Sequence, residues 1–178
     1  MLRNSRMIVE AGIMIGLSII LNQIRLFQMP QGGSITLGGY LPIFIFAIRW
    51  GGVPGMIVGG LYGLLDALFF PYIVHPVQFL LDYPIAYSLL GIAGFGKISR
   101  FKEGIKVRNV IMIFLASTMR LFAAVLSGVI FFKEFLPPDI NYFLASFLYN
   151  APYIMINTVL VVVLLVLIWK PLEGALKR

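Results

Sequence analysis

The chain of 178 residues contains no cysteine and a single histidine, His75. Without cysteine there is no disulfide, no thiolate nucleophile and no cysteine-ligated metal, and one histidine cannot build a multi-histidine metal site. The sequence also lacks a GxxxxGK[ST] segment for ATP and an HExxH segment for zinc. We therefore predict a protein that is not an enzyme and holds no metal or other cofactor. Any work driven by ATP would need the ATPase of a partner.

Charged residues are also scarce, at 12% of the chain, and only seven of them are acidic. Hydrophobic residues make up 60%, and the mean hydropathy is +0.97. A soluble domain needs more polar residues than this to cover its surface. The composition therefore predicts an all-α integral membrane protein that crosses the cell membrane several times and has the lipid bilayer as its solvent.

Long apolar runs define the predicted architecture. The hydrocarbon core of a bilayer, about 30 Å thick, needs roughly 20 residues of helix. Six stretches approach that length, at residues 7–24, 38–48, 53–70, 77–96, 109–132 and 143–169. The second is short, so we expect some non-helical backbone over 29–39, buried by protein. We predict one membrane domain of six transmembrane helices over residues 1–178, with no separate soluble domain.

Basic residues indicate the orientation. If six spans alternate, eleven Lys and Arg residues lie at one face of the membrane and two, Arg25 and Lys133, at the other. Because cytoplasmic loops are enriched in Lys and Arg, we predict that both termini are cytoplasmic. The outer loops are then 25–37, 71–76 and 133–142. The net charge of +7 fits this topology, so no nucleic-acid partner is expected.

Four ionisable side chains fall within the predicted spans: Glu10, Asp66, Asp82 and Arg120. Such residues cost roughly 2.5 to 3.5 kcal/mol to insert, so they are candidates for function. Glu10 lies near a helix end and is predicted to be structural. We predict that Asp66 pairs with Arg120, which leaves Asp82 for a ligand; the alternative is a pair between Asp82 and Arg120. A carboxylate beside Tyr83 suits an aromatic cation.

Small and polar residues recur at helical spacing in three of the predicted helices. Gly55, Gly59 and Gly63 predict close packing within the bundle, whereas Gly12 and Gly16 fit either internal packing or docking of another membrane protein. Asn150, Tyr153 and Asn157 share one face of the last helix. For Tyr153 and Asn157 we favour hydrogen bonding between helices, while Asn150 is as well suited to a pocket.

Four segments together resemble a known family. They are Met29-Pro-Gln-Gly-Gly-Ser-Ile-Thr-Leu-Gly38, His75-Pro-Val-Gln-Phe-Leu-Leu-Asp-Tyr83, Leu126-Ser-Gly-Val-Ile-Phe-Phe132 and Tyr149-Asn150. With its length and its six spans, the chain resembles the thiamine-specific substrate-binding subunit of energy-coupling factor transporters. The resemblance covers nearly the whole chain, and the segment from His75 to Tyr83 is its most specific part.

The resemblance implies a subunit that captures thiamine from outside and docks on a membrane coupling subunit that carries two cytoplasmic ATPases. It assigns ligand binding to Asp82 and Tyr83, to the aromatic residues Tyr72 and Phe132, and to Asn150 with its neighbour Tyr149. It assigns contact with the coupling subunit to Gly12 and Gly16.

The chain departs from the family pattern at Ala124, where a His is frequent, and at Ala145, where a Tyr is frequent. These departures leave the choice open between thiamine, its phosphates and a precursor such as its pyrimidine, or another small vitamin. Two other functions also remain open. One is a stand-alone secondary transporter coupled to protons through Asp66 or Asp82, and the other is a scaffold that only organises partners.

Overall fold

The structure is a computed structural model that describes residues 5–30, 32–96, 104–135 and 139–176, without the side chains of 172–176. The described residues form six helices, joined by short segments. They are α1 (Ser5–Gln23), α2 (Leu41–Trp50), α3 (Gly52–Phe69), α4 (Pro76–Gly96), α5 (Val107–Phe131) and α6 (Tyr142–Leu176). A short 3₁₀ turn, Lys133–Phe135, follows α5.

Five of these helices are long and apolar enough to cross a bilayer, namely all but α2. Their positions agree with the predicted spans, and the chain is a multi-pass membrane protein. Helix α2 has 10 residues, or about 15 Å at 1.5 Å per residue, which is half the thickness of the hydrocarbon core. Its residues from Leu41 to Ile48 are all buried. Protein rather than lipid therefore surrounds this short helix, and its ends can be satisfied by polar groups inside the bundle.

The outer surface of the bundle is apolar. Many large side chains stand exposed along the helices, among them Ile20 on α1, Leu68 on α3 and Leu167 on α6. Exposing this apolar surface to water would be unfavourable, whereas lipid tails are as apolar as these side chains. The interior instead collects polar residues such as Asn22 and Gln78, because buried polar groups need protein partners.

Helices α3 and α4 touch through their backbones. A Cβ on Gly55 would lie 3.1 Å from the Cα of Gly91. A Cβ on Gly59 would collide with the carbonyl of Tyr87, and one on Gly63 with the carbonyl of Tyr83. The predicted close packing of these glycines within the bundle is therefore confirmed. The contact fixes α4, and with it the residues that α4 carries toward the pocket described below.

A β-hairpin interrupts the otherwise helical fold. Strands β1 (Arg25–Gln28) and β2 (Ser34–Thr36) pair antiparallel, with a bulge after Arg25. Gly32, at φ +94°, supplies the left-handed residue of the connecting turn, a conformation that glycine adopts without steric cost. Non-helical backbone was expected here, but the prediction of an all-α fold is wrong for this segment, where pairing satisfies the backbone groups.

Glu10 binds three donors where α1 meets the end of α2. Its carboxylate lies 3.1 Å from Arg6 Nε and 3.1 Å from Arg49 Nη2, and it accepts a hydrogen bond of 2.7 Å from the indole of Trp50. All four side chains belong to α1 or α2. This arrangement agrees with the structural role predicted for Glu10.

Candidate functional site: a polar pocket at one end of the bundle

A large cavity opens at the end of the bundle that carries the hairpin. The empty space between its walls, with the open solvent at the mouth included, is about 1060 Å³. The mouth is formed by the hairpin, the α3–α4 connection and the described part of the α5–α6 connection, and these lie in the predicted outer loops. The wall consists of Asn22, Arg25, Gly32, Gly33, Ser34, Tyr40, Asp66, Phe70, Tyr72, Asp82, Tyr83, Ala86, Tyr87, Arg120, Ala124, Gly128, Phe132, Phe135, Ser146, Tyr149, Asn150 and Tyr153.

All six residues predicted to bind a ligand lie in this wall. Asp82 and Tyr83 come from α4, Tyr72 from the loop before it, Phe132 from the end of α5, and Tyr149 and Asn150 from α6. The rings of Tyr72 and Phe132 stack with centroids 5.8 Å apart and planes inclined by 21°. Folding thus brings a carboxylate, an amide and several aromatic rings from distant parts of the sequence to one cavity.

Asp82 has two donors beside it among the described residues, the amide of Gln78 and the hydroxyl of Ser127. Its carboxylate accepts a hydrogen bond of 2.6 Å from the amide of Gln78. Gln78 is itself buried and bonds the backbone of the α3–α4 loop, at the carbonyl of Tyr72 and the N–H of Val74. A carboxylate accepts about four hydrogen bonds. Gln78 therefore orients Asp82 and leaves most of its acceptor capacity for a ligand.

The backbone around Asp82 is a wide turn. Helix α4 begins as α-helix over Pro76–Leu80, widens to a π-helix over Leu81–Ile85, and continues through Ala86–Leu90 before ending as a 3₁₀-helix over Gly91–Gly96. Pro84 lies inside the wide turn. Because proline has no N–H and its ring crowds the carbonyl four residues earlier, it disturbs the regular α-helical pattern. Asp82 and Tyr83 both face the cavity from this turn.

Two of the predicted ligand residues are also held by the protein. The hydroxyl of Tyr83 accepts the N–H of Tyr72 and donates to the carbonyl of Phe70, each at 2.9 Å. The amide of Asn150 donates to the carbonyl of Ser146 at 2.9 Å and accepts the hydroxyl of Tyr153 at 2.7 Å. Tyr83 therefore offers its ring more than its hydroxyl, and Asn150 is fixed in orientation before any ligand arrives.

Comparison with known proteins identifies the family. The family model described as "Thiamine transporter protein" (Thia_YuaJ) matches residues 8–176. The chain belongs to this thiamine transporter family. The thiamine transporter ThiT of Bacillus subtilis (strain 168) is 33% identical over 180 aligned positions, covering 96% of this chain and 93% of that protein. ThiT of Lacticaseibacillus paracasei is 29% identical, covering 70% and 68%.

The fold of the family agrees with this assignment. A solved structure of ThiT from Listeria monocytogenes superposes with a TM-score of 0.80 at 22% identity, covering 94% of this chain and 96% of that one. Its similarity supports the overall fold. Both relatives are named as transporters, which agrees with the prediction that the chain is not an enzyme.

The predicted ion pair between Asp66 and Arg120 is wrong. Asp66 accepts hydrogen bonds from Asn22 at 2.8 Å, from Tyr87 at 2.9 Å and from Tyr62 at 3.4 Å. No ion pair within 4 Å joins it to Arg120, although both residues are described. Neutral donors therefore satisfy Asp66. The guanidinium of Arg120 instead lies over the ring of Tyr40 at 4.4 Å and that of Tyr87 at 4.5 Å.

Sequence reasoning missed the contribution of the hairpin to the pocket. Gly33 and Ser34 line the cavity, and a Cβ on Gly33 would lie only 2.7 Å from the ring of Tyr153. Asn157 holds the hairpin from α6, because it accepts the N–H of Thr36 at 2.9 Å and donates to the carbonyl of Ser34 at 2.7 Å. The Gly32-Gly33 pair was the available signal, since adjacent glycines permit such close approach.

The two residues of the last helix for which helix–helix bonding was favoured have different roles. Tyr153 lines the cavity and donates to Asn150 within the same helix. Asn157 bonds the hairpin rather than another helix. The expected bonds between helices are therefore not formed by either residue, because the hairpin and the pocket occupy that face of α6.

The residues at which the chain departs from the family pattern lie in different places. Ala124 is in the cavity wall, where its small side chain leaves room beside Arg120. Ala145 is buried but does not line the cavity. Of the two departures, Ala124 therefore has the direct effect on the shape of the pocket.

Gly12 and Gly16 lie outside the pocket, on α1. No atom of the described chain would come within 4 Å of a Cβ added at either position. Large apolar neighbours, including Ile13 and Ile20, are exposed on the same helix. These glycines therefore do not pack inside the bundle, and their contact with a coupling subunit stays a prediction.

The pocket offers no cluster of metal ligands. Over the described parts of the chain, no three His, Asp or Glu side chains come together in a way that could hold a metal ion. The two carboxylates of the wall, Asp66 and Asp82, instead share it with tyrosine rings and amides. This mixture suits an organic cation, through cation–π contacts and charge-assisted hydrogen bonds.

Proposed function

We propose that this protein is the substrate-binding subunit of an ATP-driven energy-coupling factor importer and that it captures thiamine from the extracellular side. The observation that carries the proposal is that six residues, chosen on sequence for thiamine binding, line one cavity. Membership of the thiamine transporter family supports the same ligand.

The wall matches the two rings of thiamine. Asp82 accepts hydrogen bonds from the amino group of the aminopyrimidine, and its charge stabilises the cationic thiazolium. The rings of Tyr72, Tyr83 and Phe132 surround the cationic ring system, which favours cation–π contact. Asn150, already fixed by Ser146 and Tyr153, sets the orientation of the ligand, and Tyr149 closes the same side of the wall.

The proposed topology has one domain with six membrane passes and cytoplasmic termini. The mouth of the cavity is built from the segments that the charge distribution assigns to the outside. The native absence of cysteine makes this testable by labelling. Pro71→Cys, at the mouth, should react with a membrane-impermeant maleimide in intact cells, whereas Lys106→Cys should react only after permeabilisation. The reverse pattern would invert the topology and contradict capture from outside.

Coupling to transport is proposed to use the exposed face of α1. Gly12 and Gly16 leave a flat strip on which the backbone of a coupling subunit can approach closely. Two cytoplasmic ATPases would act through that subunit, because the chain has no ATP-binding segment. Gly12→Leu should therefore abolish uptake in cells while leaving thiamine binding by the purified protein intact.

The first experiment is isothermal calorimetry of the purified protein with thiamine. Calorimetry is preferable to tryptophan fluorescence, because neither Trp50 nor Trp169 lines the cavity. We expect one site with a dissociation constant below about 1 μM, and weaker binding of the isolated pyrimidine. No binding at micromolar thiamine would overturn the proposal.

Uptake by liposomes separates coupled from stand-alone transport. Vesicles that contain this chain alone, under a proton gradient, should not accumulate thiamine, whereas addition of the coupling subunit and ATPases with internal ATP should start uptake. Accumulation by the chain alone would instead establish a secondary transporter.

A further inference from the structure

Arg120 is buried in the cavity wall with hydrogen-bonding capacity unused. Arg120 is 6% exposed, and among the described residues neither Nε nor Nη1 has a hydrogen-bond partner, although the hydroxyl of Tyr40 lies close to the group. The guanidinium carbon lies 4.4 Å from the ring centre of Tyr40 and 4.5 Å from that of Tyr87, and these two rings contact each other at an angle of 58°. Contacts with ring faces stabilise the charge of the guanidinium but supply no hydrogen-bond acceptor to Nε and Nη1.

The guanidinium is open to the cavity along α5. Arg120, Ala124 and Gly128 follow one another at four-residue spacing and all line the wall. Because α5 ends at Phe131, Arg120 lies about 16 Å below the mouth end of the helix, at 1.5 Å per residue. The two residues between it and the mouth are small. A flat ring can therefore slide along this wall and reach the guanidinium.

The charges of the wall indicate what kind of atom meets Arg120. Asp66 and Asp82 line the same cavity, so an anionic ligand would face two carboxylates. A neutral acceptor on a ligand that is cationic elsewhere avoids this repulsion. It also supplies the acceptor that a buried donor needs, because an unsatisfied buried N–H is costly.

We propose that Arg120 is a ligand-binding residue that determines specificity, by donating a hydrogen bond to a ring nitrogen of the aminopyrimidine of thiamine. The inference rests on the proposed function. It assigns two edges of the pyrimidine ring to different walls of the cavity. The amino group donates to Asp82 on α4, and a ring nitrogen accepts from Arg120 on α5. A ligand with the amino group but without that nitrogen would leave the guanidinium unsatisfied.

The test compares thiamine with its 1′-deaza and 3′-deaza analogues, in which one pyrimidine nitrogen is replaced by C–H. We expect the wild-type protein to bind one of the two analogues at least about tenfold more weakly than thiamine, the size expected for one hydrogen bond from a charged donor. In Arg120→Met the affinities for thiamine and for that analogue should become nearly equal. Arg120→Lys, which keeps the charge and moves the donor, should give an intermediate ratio.

Arg25→Met is the matched control, because it also removes one positive charge from the cavity wall but lies at the mouth. It should preserve the discrimination between thiamine and the analogue, whatever its effect on overall affinity.

Equal binding of thiamine and both analogues by the wild type, or discrimination that persists in Arg120→Met, would overturn the inference while leaving the proposed function intact. Failure of the wild type to bind thiamine would overturn the proposed function itself. If Arg120→Met does not fold, Arg120→Lys decides: unchanged discrimination in it overturns the inference.

Discussion

Two carboxylates within apolar helices have opposite surroundings. Glu10, where α1 meets the end of α2, receives donors from Arg6, Arg49 and Trp50. Asp82, near the mouth of the cavity, has a short hydrogen bond from the neutral amide of Gln78 and the neutral hydroxyl of Ser127 nearby. The protein itself compensates the first charge, so that charge stabilises the bundle. The second is oriented but left with free acceptor capacity, which is what a site for a cation requires.

The largest effect should follow Asp82→Asn. The substitution removes the negative charge and one acceptor while keeping the shape, so we expect thiamine affinity to fall by about 10- to 100-fold with little change in melting temperature. Calorimetry and thermal denaturation in detergent measure the two quantities. Glu134→Gln, an exposed acid near the same end outside the cavity wall, is the control. An unchanged affinity in Asp82→Asn would favour a protein that only organises partners.

Glu10→Gln should have the opposite effect, a loss of stability with little change in thiamine affinity. Loss of the charge weakens the contacts with Arg6 and Arg49, so the protein should be destabilised by about 1 to 3 kcal/mol, seen as a lower melting temperature. Thiamine affinity should stay within about twofold, because Glu10 does not line the cavity. Arg6→Gln, which removes a half-exposed partner, should have a smaller effect on stability. A large loss of affinity in Glu10→Gln would show that the two ends of the bundle are coupled.

The effects of Asp66→Asn on affinity and stability should be intermediate between those of Asp82→Asn and Glu10→Gln. Its carboxylate lines the cavity like Asp82, yet it receives three protein donors like Glu10. An asparagine would turn an NH₂ group toward some of these donors, so stability should drop by about 1 to 2 kcal/mol, whereas affinity should fall by only about threefold through lost long-range attraction. A loss as large as that of Asp82→Asn would mean that the ligand cation is shared between both carboxylates.

Asn157→Ala tests the mouth of the cavity and should give the smallest change in affinity. The substitution removes the three hydrogen bonds by which Asn157 holds the hairpin to α6, so we expect thiamine to dissociate faster, with affinity reduced by a few-fold. Stopped-flow competition measures the dissociation rate. Thr158→Ala, on the next residue but bonded only within its own helix, is the control. A dissociation rate that matches the wild type would remove the hairpin from control of the mouth.

The sequence predicted the positions of the helices well because the apolar runs are long and bounded by charged or turn-forming residues. It also placed Asp82 and its aromatic neighbours correctly in a wall, since depth along a helix follows from counting residues. The hairpin was missed because its strands have 4 and 3 residues, too short for an alternating pattern to show.

Other errors arose where partners depend on the third dimension. Asp66 and Arg120 have opposite charges and similar predicted depth, which suggested a pair. In the structure tyrosine hydroxyls and Asn22 satisfy Asp66 instead, and two rings hold Arg120. Depth alone does not specify the direction in which a side chain points around its helix.

The wide turn at Pro84 has a consequence for how this pocket can evolve. From Tyr83 in this turn downward, α4 is packed on the glycines of α3; above the turn, the helix presents Gln78 toward Asp82. A turn with an extra residue is a place where one amino acid can be gained or lost without shifting the glycine-packed half. A gain or loss of one residue in this turn would change the direction in which the residues above it face the ligand. Ligand selectivity can therefore diverge between relatives while the packing of the membrane scaffold stays the same.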